Sequence, residues 1–299
     1  MSLYLSFKEI WRNKGRFFLF SLVIALITFL VLFTAGLGEG LASANKEYLE
    51  KLNADLLVFQ EEVNYSTLES RLEYIVLKKI RRWDGIADAG PIGFSNTSVV
   101  LGANEALDVS LIGVEPGKPG SPPVLTGEEI RTKQAKAVVI EERIAEQAGL
   151  GVGDILTIKS TQGADEELYE LRITGITDGR QYFFQPSIFV PLQVWDDVRP
   201  KAKTTDANAA IIPSVIAVRL ENPEALGSMA NFLQTRVDGI EVTDIKTAYE
   251  ASPGFAEQQS TLNTMKGFTF LIGVLVIGGF FQIQTLQKVP QIGMLKAIG

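Results

Sequence analysis

Two stretches of the chain are apolar without one charged residue, and both are long enough to cross a membrane. The first runs from Phe17 to Leu37 and the second from Gly267 to Gln287, 21 residues each. At the rise of an α-helix, a stretch of this length extends about 32 Å, which matches a hydrocarbon core of about 30 Å. Buried core helices seldom have more than about 14 apolar positions in a row. The pattern therefore predicts two transmembrane helices.

Residues 1–16, before the first apolar stretch, have a helical pattern of their own. Leu3, Phe7, Ile10 and Trp11 recur at intervals of three and four, and charged residues fall between them. This spacing predicts a short amphipathic helix that lies in the inner headgroup layer. A basic extension of the first span fits nearly as well and stays open as the alternative.

A cleaved signal peptide is the main alternative to a first membrane span. Ala42-Ser43-Ala44 resembles a small-residue cleavage site. The apolar run is longer than the 7–15 residues of a signal core, however, and Glu39 lies between the run and that site. We therefore expect the first span to be retained.

The region between the spans, residues 38–266, alternates short apolar runs with helical spacing. We predict an extracytoplasmic α+β domain with two lobes, residues 38–127 with 201–266 and residues 128–200. A Pro- and Gly-rich loop over 115–127 and a polar linker over 201–210 are the predicted connections. The predicted strands are 54–59, 98–102, 108–114, 137–140, 155–159, 169–177, 188–190, 215–220 and 240–243. The predicted helices include 68–83, 141–148 and 222–236, with one from about 257 that leads into the second span.

The charges are distributed unevenly along the 299 residues, whose total is −7. Residues 1–37 carry +3 and residues 267–299 carry +2, which leaves −12 for residues 38–266. Because basic residues stay on the cytoplasmic side, both chain ends are predicted inside the cell and the acidic domain outside. The expected location is the cell membrane, in contact with the lipid bilayer. An acidic surface also argues against a nucleic-acid partner.

The composition excludes several kinds of active site. Without histidine or cysteine the chain has no disulfide, cysteine nucleophile, Ser-His-Asp triad or histidine metal ligand. The loop from Gly113 to Lys118 has the wrong spacing for a phosphate loop. The turn Gly151–Asp154 lacks the third glycine of a dinucleotide site. We predict no enzyme activity, no catalytic residues, no cofactor and no metal.

Three adjacent aromatic residues, Tyr182, Phe183 and Phe184, lie between two predicted strands. Three neighbours on a strand cannot all face one core, so they form a candidate outer contact loop for a partner or an apolar molecule. The simpler alternative is an irregular bulge packed on its own lobe. We favour the bulge because single exposed aromatic residues are common.

Several features together resemble the FtsX/MacB-type permease subunits of ABC transporters. A basic start, Trp11-Arg12-Asn13-Lys14-Gly15-Arg16, leads into the first span, and the stretch IGMLKAIG (292–299) follows the second. Residues 137–177 are similar to the periplasmic core module of that family. The Pro290-Gln291 pair departs from the charged pair that is usual in the family.

The resemblance implies a mechanism and partners. A separate cytoplasmic ABC ATPase would dock on a coupling segment, residues 288–299, in which Pro290 breaks the helix and Ile292, Leu295, Lys296 and Ile298 meet the ATPase. A second permease chain, identical or paralogous, would pack against the second span, with Thr269, Gly273 and Gly278 as candidate contacts. Such permeases have four spans, so we expect the sequence to be a fragment without the last two.

The implied function is conformational work on the outer domain, driven by ATP, for export, lipoprotein release or mechanotransmission. An extracytoplasmic adaptor or substrate protein is a further expected partner. Two alternatives stay open, since their topology is the same. One is a two-span membrane sensor with an outer ligand-binding domain, and the other is an anchored outer hydrolase or binding protein.

Overall fold

The computed structural model describes residues 11, 14–101, 105–201, 210–251 and 255–298. The chain divides into two compact units, the membrane unit (Met1–Gly40 with Glu257–Gly299) and the outer unit (Leu41–Ala256). Most of the amphipathic helix predicted over 1–16 and of the linker predicted over 201–210 lies outside the described residues.

Seven helices and ten strands are found among the described residues. The helices are α1 (Lys14–Glu50), α2 (Tyr74–Ile80), α3 (Glu142–Ala148), α4 (Leu192–Val198), α5 (Leu226–Arg236), α6 (Ile245–Glu250) and α7 (Phe255–Ile298). The strands are β1 (Leu56–Gln60), β2 (Ile86–Val100), β3 (Ala106–Val114), β4 (Thr126–Gly127), β5 (Ala137–Glu141), β6 (Ile155–Gln162), β7 (Asp165–Thr177), β8 (Ser187–Pro191), β9 (Val215–Leu220) and β10 (Ile240–Asp244). A short 3₁₀ turn, Pro223–Ala225, precedes α5.

The membrane unit contains two helical segments that are long and apolar enough to span a bilayer. They are Ser21–Leu41 in α1 and Glu257–Ile283 in α7, and they overlap the predicted spans. Almost none of their side chains is buried within the protein, which is unlike the core helix of a soluble domain. Helix α7 continues through Pro290 to Ile298, so the predicted helix break at Pro290 is wrong. Proline can be accommodated inside a helix when neighbouring groups compensate for the lost N–H.

One half of the outer unit is a split β-α-β arrangement. The segments β1-α2-β2 and β9-α5-β10 form an antiparallel sheet with the order β10-β1-β9-β2. This is the ferredoxin-like order. Successive residues of β1 enter different clusters, Leu56 and Val58 beside α2 and α5, and Leu57 and Phe59 on the opposite face. Burial on both faces explains why β1 is continuously apolar.

The other half is a closed ring of six strands. The ladder continues from β2 through β3, β8, β5 and β7, and β6 pairs with both β7 and β2. Alternate side chains fill the ring, among them Leu111, Val138 and Ile188. Strand β2 belongs to both halves because it is 15 residues long.

The three hydrophobic clusters relate to the predicted lobes in different ways. The cluster under α2 and α5 uses only residues of the first predicted lobe, and the ring cluster uses mainly the second. The third cluster joins both, since Ile92 and Phe94 pack with Tyr182 and Phe189. The lobe boundaries therefore stay a prediction.

Local sequence signals predicted some elements better than others. Strand β9 is confirmed at its predicted bounds, and Gly149 ends α3 in the left-handed conformation, with φ of 64°. The helix predicted over 68–83 is shorter, Tyr74–Ile80, and β2 begins twelve residues before the predicted strand at 98. Residues 68–73 instead form a connection in which the Leu72 N–H donates to the Pro213 carbonyl.

Candidate functional site

The aromatic loop lies between β7 and β8 and is packed on the outer unit to different degrees along its length. Tyr182 is buried, Phe183 is half-buried and Phe184 is 48% exposed. The Tyr182 hydroxyl forms a hydrogen bond with the Thr67 hydroxyl. The Tyr182 carbonyl accepts one from Ser110 Oγ at 2.8 Å. Burial raises the pKa of Tyr182 to about 12. Of the three aromatics, Phe184 is the one that presents much of its ring to the surroundings.

The loop has an unfavourable backbone conformation at two adjacent residues. Phe183 and Phe184 have φ of 54° and 63°, in the left-handed region. For residues with a Cβ this costs about 1–2 kcal/mol each. The strain is offset by reciprocal main-chain hydrogen bonds between Tyr182 and Gln185, 3.0 and 3.1 Å long. Strain of this kind persists only where surrounding contacts hold it in place.

The same loop is hydrogen-bonded to the outer end of α1. The Phe184 N–H donates to the Ala44 carbonyl at 3.2 Å, and the Tyr48 N–H donates to the Gln181 carbonyl at 3.0 Å. Ala44 and Tyr48 are four residues apart, the spacing at which a carbonyl and an N–H pair within an α-helix. The loop therefore bonds to the carbonyl and the N–H of the same helical turn.

Charged side chains join the same two segments. Lys51 Nζ lies 2.9 Å from Glu47 Oε1 and 3.3 Å from Asp178 Oδ2, and it also donates to the Gly179 carbonyl. Glu47 Oε2 accepts from the Gln181 N–H at 3.2 Å. Burial would lower the pKa of Lys51, but its hydrogen bonds to Glu47 and Asp178 outweigh burial and raise it. These contacts therefore favour the charged form of Lys51.

Arg180 adds a connection to the chain directly after α1. Its Nη1 donates to the Lys51 carbonyl at 2.8 Å, and its Nε donates to Asp178 Oδ1 at 2.8 Å. Ser187 Oγ donates to the Arg180 carbonyl at 2.7 Å. A nearly buried guanidinium with these partners fixes the loop against the end of the helix. Burial of Asp178 would raise its pKa, but Arg180 outweighs burial and lowers it.

Tyr48 is the apolar centre of this contact. Its side chain is fully buried, and its hydroxyl donates to the Gly120 carbonyl at 2.9 Å. Its ring packs against Phe94, Tyr182 and Phe189, with centroid distances of 5.8, 6.3 and 5.5 Å. We call the α1 residues Ala44, Glu47 and Tyr48, together with Lys51 directly after the helix and the loop 178–184, the α1 joint.

A buried carboxyl group lies behind the α1 joint. Glu141, at the end of β5, is fully buried and accepts from the Ser187 N–H at 3.0 Å. Its Oε1 has no hydrogen-bond partner among the described residues, although Arg143 Nη1 is 3.5 Å away. Burial raises the pKa of Glu141. The protonated form is thus favoured relative to an exposed glutamate.

The candidate helix-packing residues of the second span are in two different environments. Thr269 and Gly273 line a groove of about 450 Å³ whose other wall includes Val31 and Thr34 of α1. A Cβ added to Gly273 would lie 3.9 Å from Ile27 Cγ2. A Cβ added to Gly278 would meet nothing within 4 Å. The groove thus joins two of the predicted residues to α1, whereas Gly278 faces open space among the described residues.

The candidate ATPase-coupling residues Ile292, Leu295, Lys296 and Ile298 lie on the last turns of α7. Lys296 is exposed, and the side chains of the three apolar residues lie outside the described part of the structure. The role of these four residues therefore remains a prediction.

No group of three or more acidic residues that could hold a metal ion is found within the described ranges.

Sequence reasoning found the aromatic loop but missed the α1 joint around it. Glu47, Lys51, Asp178 and Arg180 look like ordinary surface charges in the sequence, and Lys51 is 128 residues from Gly179. A partial signal was available, since the helical pattern after the first span places Tyr48 and Leu49 among polar residues. No local pattern identifies which distant loop they contact.

Comparison with known families and proteins gives a consistent result. Residues 17–235 match the family described as MacB-like periplasmic core domain. A protein of Staphylococcus haemolyticus described as "Putative hemin transport system permease protein HrtB" is 25% identical over 295 residues, covering 99% of this chain and 76% of that protein. A protein of the same description from Staphylococcus epidermidis is 23% identical over 298 residues, with 99% and 75% covered.

Two solved structures are also similar to the chain. The extracellular domain of the noncanonic ABC-type transporter YknZ from Gram-positive bacteria has a TM-score of 0.45 at 13% identity, covering 64% of this chain and all of that one. The periplasmic region of MacB from Actinobacillus actinomycetemcomitans has a TM-score of 0.45 at 12% identity, with 65% and 90% covered.

Proposed function

Because the chain belongs to the MacB/FtsX-like family of permeases, we propose that it transmits work from a separate ATPase to its outer domain. The observation that carries this proposal is the family match over 17–235, which includes the first apolar helix and most of the outer unit. The second candidate span follows directly after the outer unit. The chain is thus the membrane subunit of an ABC transporter.

The energy source is a second polypeptide in this proposal. The sequence contains no phosphate loop, so ATP binding falls to a cytoplasmic ABC ATPase. Ile292, Leu295 and Ile298 recur every third residue at the end of α7 and offer an apolar row to a groove on that partner. Lys296 flanks the row.

The work passes to the outer domain through α1. Residues of this one helix belong to both compact units, and its outer end is held by the α1 joint. Main-chain bonds at Ala44 and Tyr48, the Lys51 ion pairs and the buried Tyr48 ring support this role. A rigid attachment is what a lever requires, because a loose one would absorb the movement.

Co-purification with the ATPase tests the coupling segment. Leu295→Asp places a charge in the apolar row, and we expect the complex with the cognate ABC ATPase to be lost. Ala297→Asp is the matched control, since position 297 is on the opposite side of the helix and its complex should persist. A complex retained by Leu295→Asp would contradict the assignment.

The orientation of the chain can be tested without removing any native thiol, because the sequence has no cysteine. We propose that residues 38–266 are outside the cell and that both ends are inside, as the charge distribution suggests. Ala164→Cys in the outer unit should react with a membrane-impermeant maleimide on intact cells, and Met294→Cys should not. The reverse pattern would overturn the proposed orientation.

We propose hemin as the substrate, by analogy with two relatives whose descriptions name a hemin transport system. The absence of histidine and cysteine leaves tyrosine and methionine as the usual haem-iron ligands that this chain could supply. Deleting the gene that encodes this chain should make cells more sensitive to hemin, and expressing the gene again should restore resistance. Unchanged sensitivity in both strains would exclude hemin as the substrate.

A further inference from the structure

A cleft of about 470 Å³ opens on the outer unit, and none of its lining residues belongs to the α1 joint. Tyr74 and Lys78 of α2 line it together with Glu115, Lys133 and the apolar residues Leu192 and Ile211. Its volume is within the range of small-molecule sites, about 300–1,000 Å³. None of the candidate residues of the sequence analysis belongs to it.

The carboxylate in the cleft is already neutralised. Glu115 Oε1 lies 2.7 Å from Lys133 Nζ, and Oε2 lies 2.8 Å from Arg81 Nη2. Burial would raise the pKa of Glu115, but the hydrogen bonds from Lys133 and Arg81 outweigh burial and lower it. One ionised carboxylate is therefore shared by two cations, which leaves an excess of positive charge.

Lys78 adds a third cation. Its Nζ lies 5.6 Å from the centre of the Tyr74 ring, and Lys78 is exposed. It forms no ion pair with any carboxylate of the described residues, although residues 38–266 carry a net charge of −12. A local surplus of cations beside an aromatic ring, in an acidic domain, favours a negatively charged ligand.

The rest of the lining is apolar. Leu192 at the start of α4 is nearly buried, and Ile211 is half-buried. The cleft thus combines cationic and apolar walls, and a ligand that fits both has a charged end and an apolar body. We propose that this cleft binds a small amphipathic anion, with its head group on Lys78 and Lys133 and its apolar chain against Leu192 and Ile211.

Lysine ammonium groups act as point charges and hold carboxylates and phosphates alike. The experiment therefore uses two anionic probes, decanoate and decyl phosphate, with uncharged decanol as the control. Binding is measured on the full chain in nanodiscs, and the signal of empty nanodiscs is subtracted. We expect saturable binding of at least one anion and none of decanol. Tighter binding of one anion identifies its head group.

Variants connect the binding to this cleft. Lys78→Met should weaken binding about tenfold, as expected for the loss of one charged hydrogen bond. Lys79→Met is the matched control, because Lys79 is the exposed neighbour on the same helix and does not line the cleft. Ile211→Ser, which shortens the apolar wall, should also weaken binding.

Three results would overturn the proposal: no saturable binding, equal binding of decanol, or unchanged affinity in Lys78→Met. The assay uses neither ATP nor the ATPase. A failure here is therefore distinguishable from a failure of the proposed permease function.

Discussion

The outer unit and the membrane unit differ in how far their apolar side chains are buried, and helix α1 has residues in both units. Within the outer unit, Tyr48 and Leu49 of α1 are fully buried against other protein side chains. Within the membrane unit, Phe29 and Leu32 of the same helix are 65% and 67% exposed. Lipid tails are as apolar as leucine and phenylalanine, so the hydrophobic effect does not drive these side chains from lipid into a protein interior. Packing against other protein side chains thus holds only the part of α1 that belongs to the outer unit.

Charge follows the same division. Among the described residues, the ion pairs lie in the outer unit, from Lys46–Glu50 to Lys246–Glu250. The long helices of the membrane unit instead expose large apolar side chains, such as Phe29, Leu32 and Leu275. The difference indicates that acid and side-chain truncation should destabilise the outer unit much more than the membrane unit.

The largest expected effect is that of Tyr48→Ala. Removing this buried ring should lower the free energy of unfolding of the outer unit by about 3–5 kcal/mol, because it leaves a cavity among Phe94, Tyr182 and Phe189. Leu32→Ala in the membrane stretch is the comparison and should cost less than about 1 kcal/mol. Thermal and chemical denaturation in nanodiscs measure both, and equal losses would remove the distinction between the units.

Tyr48→Phe refines this prediction if the alanine variant does not fold. It keeps the ring and removes only the hydrogen bond to the Gly120 carbonyl. The expected loss is about 1 kcal/mol. A loss of about 3–5 kcal/mol, the size expected for removal of the whole ring, would mean that the hydroxyl, rather than the packing, fixes the helix end.

The second effect concerns pH. Because the folded pKa of Glu115 is lowered, its ion pairs stabilise the fold above its unfolded value of about 4.3, and this contribution is lost as the pH falls through the folded pKa. Glu115→Gln should therefore cost about 2 kcal/mol at pH 7. The difference in Tm between Glu115→Gln and the unmodified chain should disappear once the pH is below the folded pKa of Glu115. A Tm difference that does not change with pH would contradict the prediction.

The third effect is smaller and lies within the α1 joint. Lys51→Met removes the bonds to Glu47, Asp178 and the Gly179 carbonyl, but the partly exposed ion pairs are screened by solvent, so the loss should be about 1 kcal/mol or less. Lys246→Met, which breaks an exposed pair of 3.8 Å, is the control and should have no measurable effect. If both variants unfold at the same temperature, Lys51 does not stabilise the joint.

The smallest effect on stability is expected for Gly278→Leu. Its side chain would enter open space, so the unfolding of a single chain should change by less than about 0.5 kcal/mol. If a second permease chain packs there, the dimer fraction in native mass spectrometry should fall. An unchanged dimer fraction would remove Gly278 from the proposed interface.

The sequence predicted those parts of the molecule whose signals are local. The absence of charge over 21 residues predicted the spans, and Gly149 and strand β9 followed from short-range patterns. The first half of β2 was missed because Gly90, Pro91 and Gly93 are unfavourable in strands, and pairing with β9 and β3 overrides that preference.

The α1 joint could not be predicted in this way. Its charged partners come from two segments separated by about 130 residues, and neither segment has an unusual composition. The closure of the strand ring could not be predicted either, because it depends on only two residue pairs between β2 and β6. Periodicity indicates which face of an element is buried but does not identify the element that covers it.

Hydrogen exchange of the full chain in nanodiscs tests most directly whether the outer end of α1 is rigidly held. We expect the amides of Tyr48, Gln181 and Phe184 to exchange as slowly as those of the buried strand β1, because each is hydrogen-bonded across the joint. Lys51→Met should accelerate them while β1 stays protected. Exchange as fast as at Ala164, an exposed residue of the hairpin tip between β6 and β7, would contradict the claim that the outer end of α1 is rigidly held.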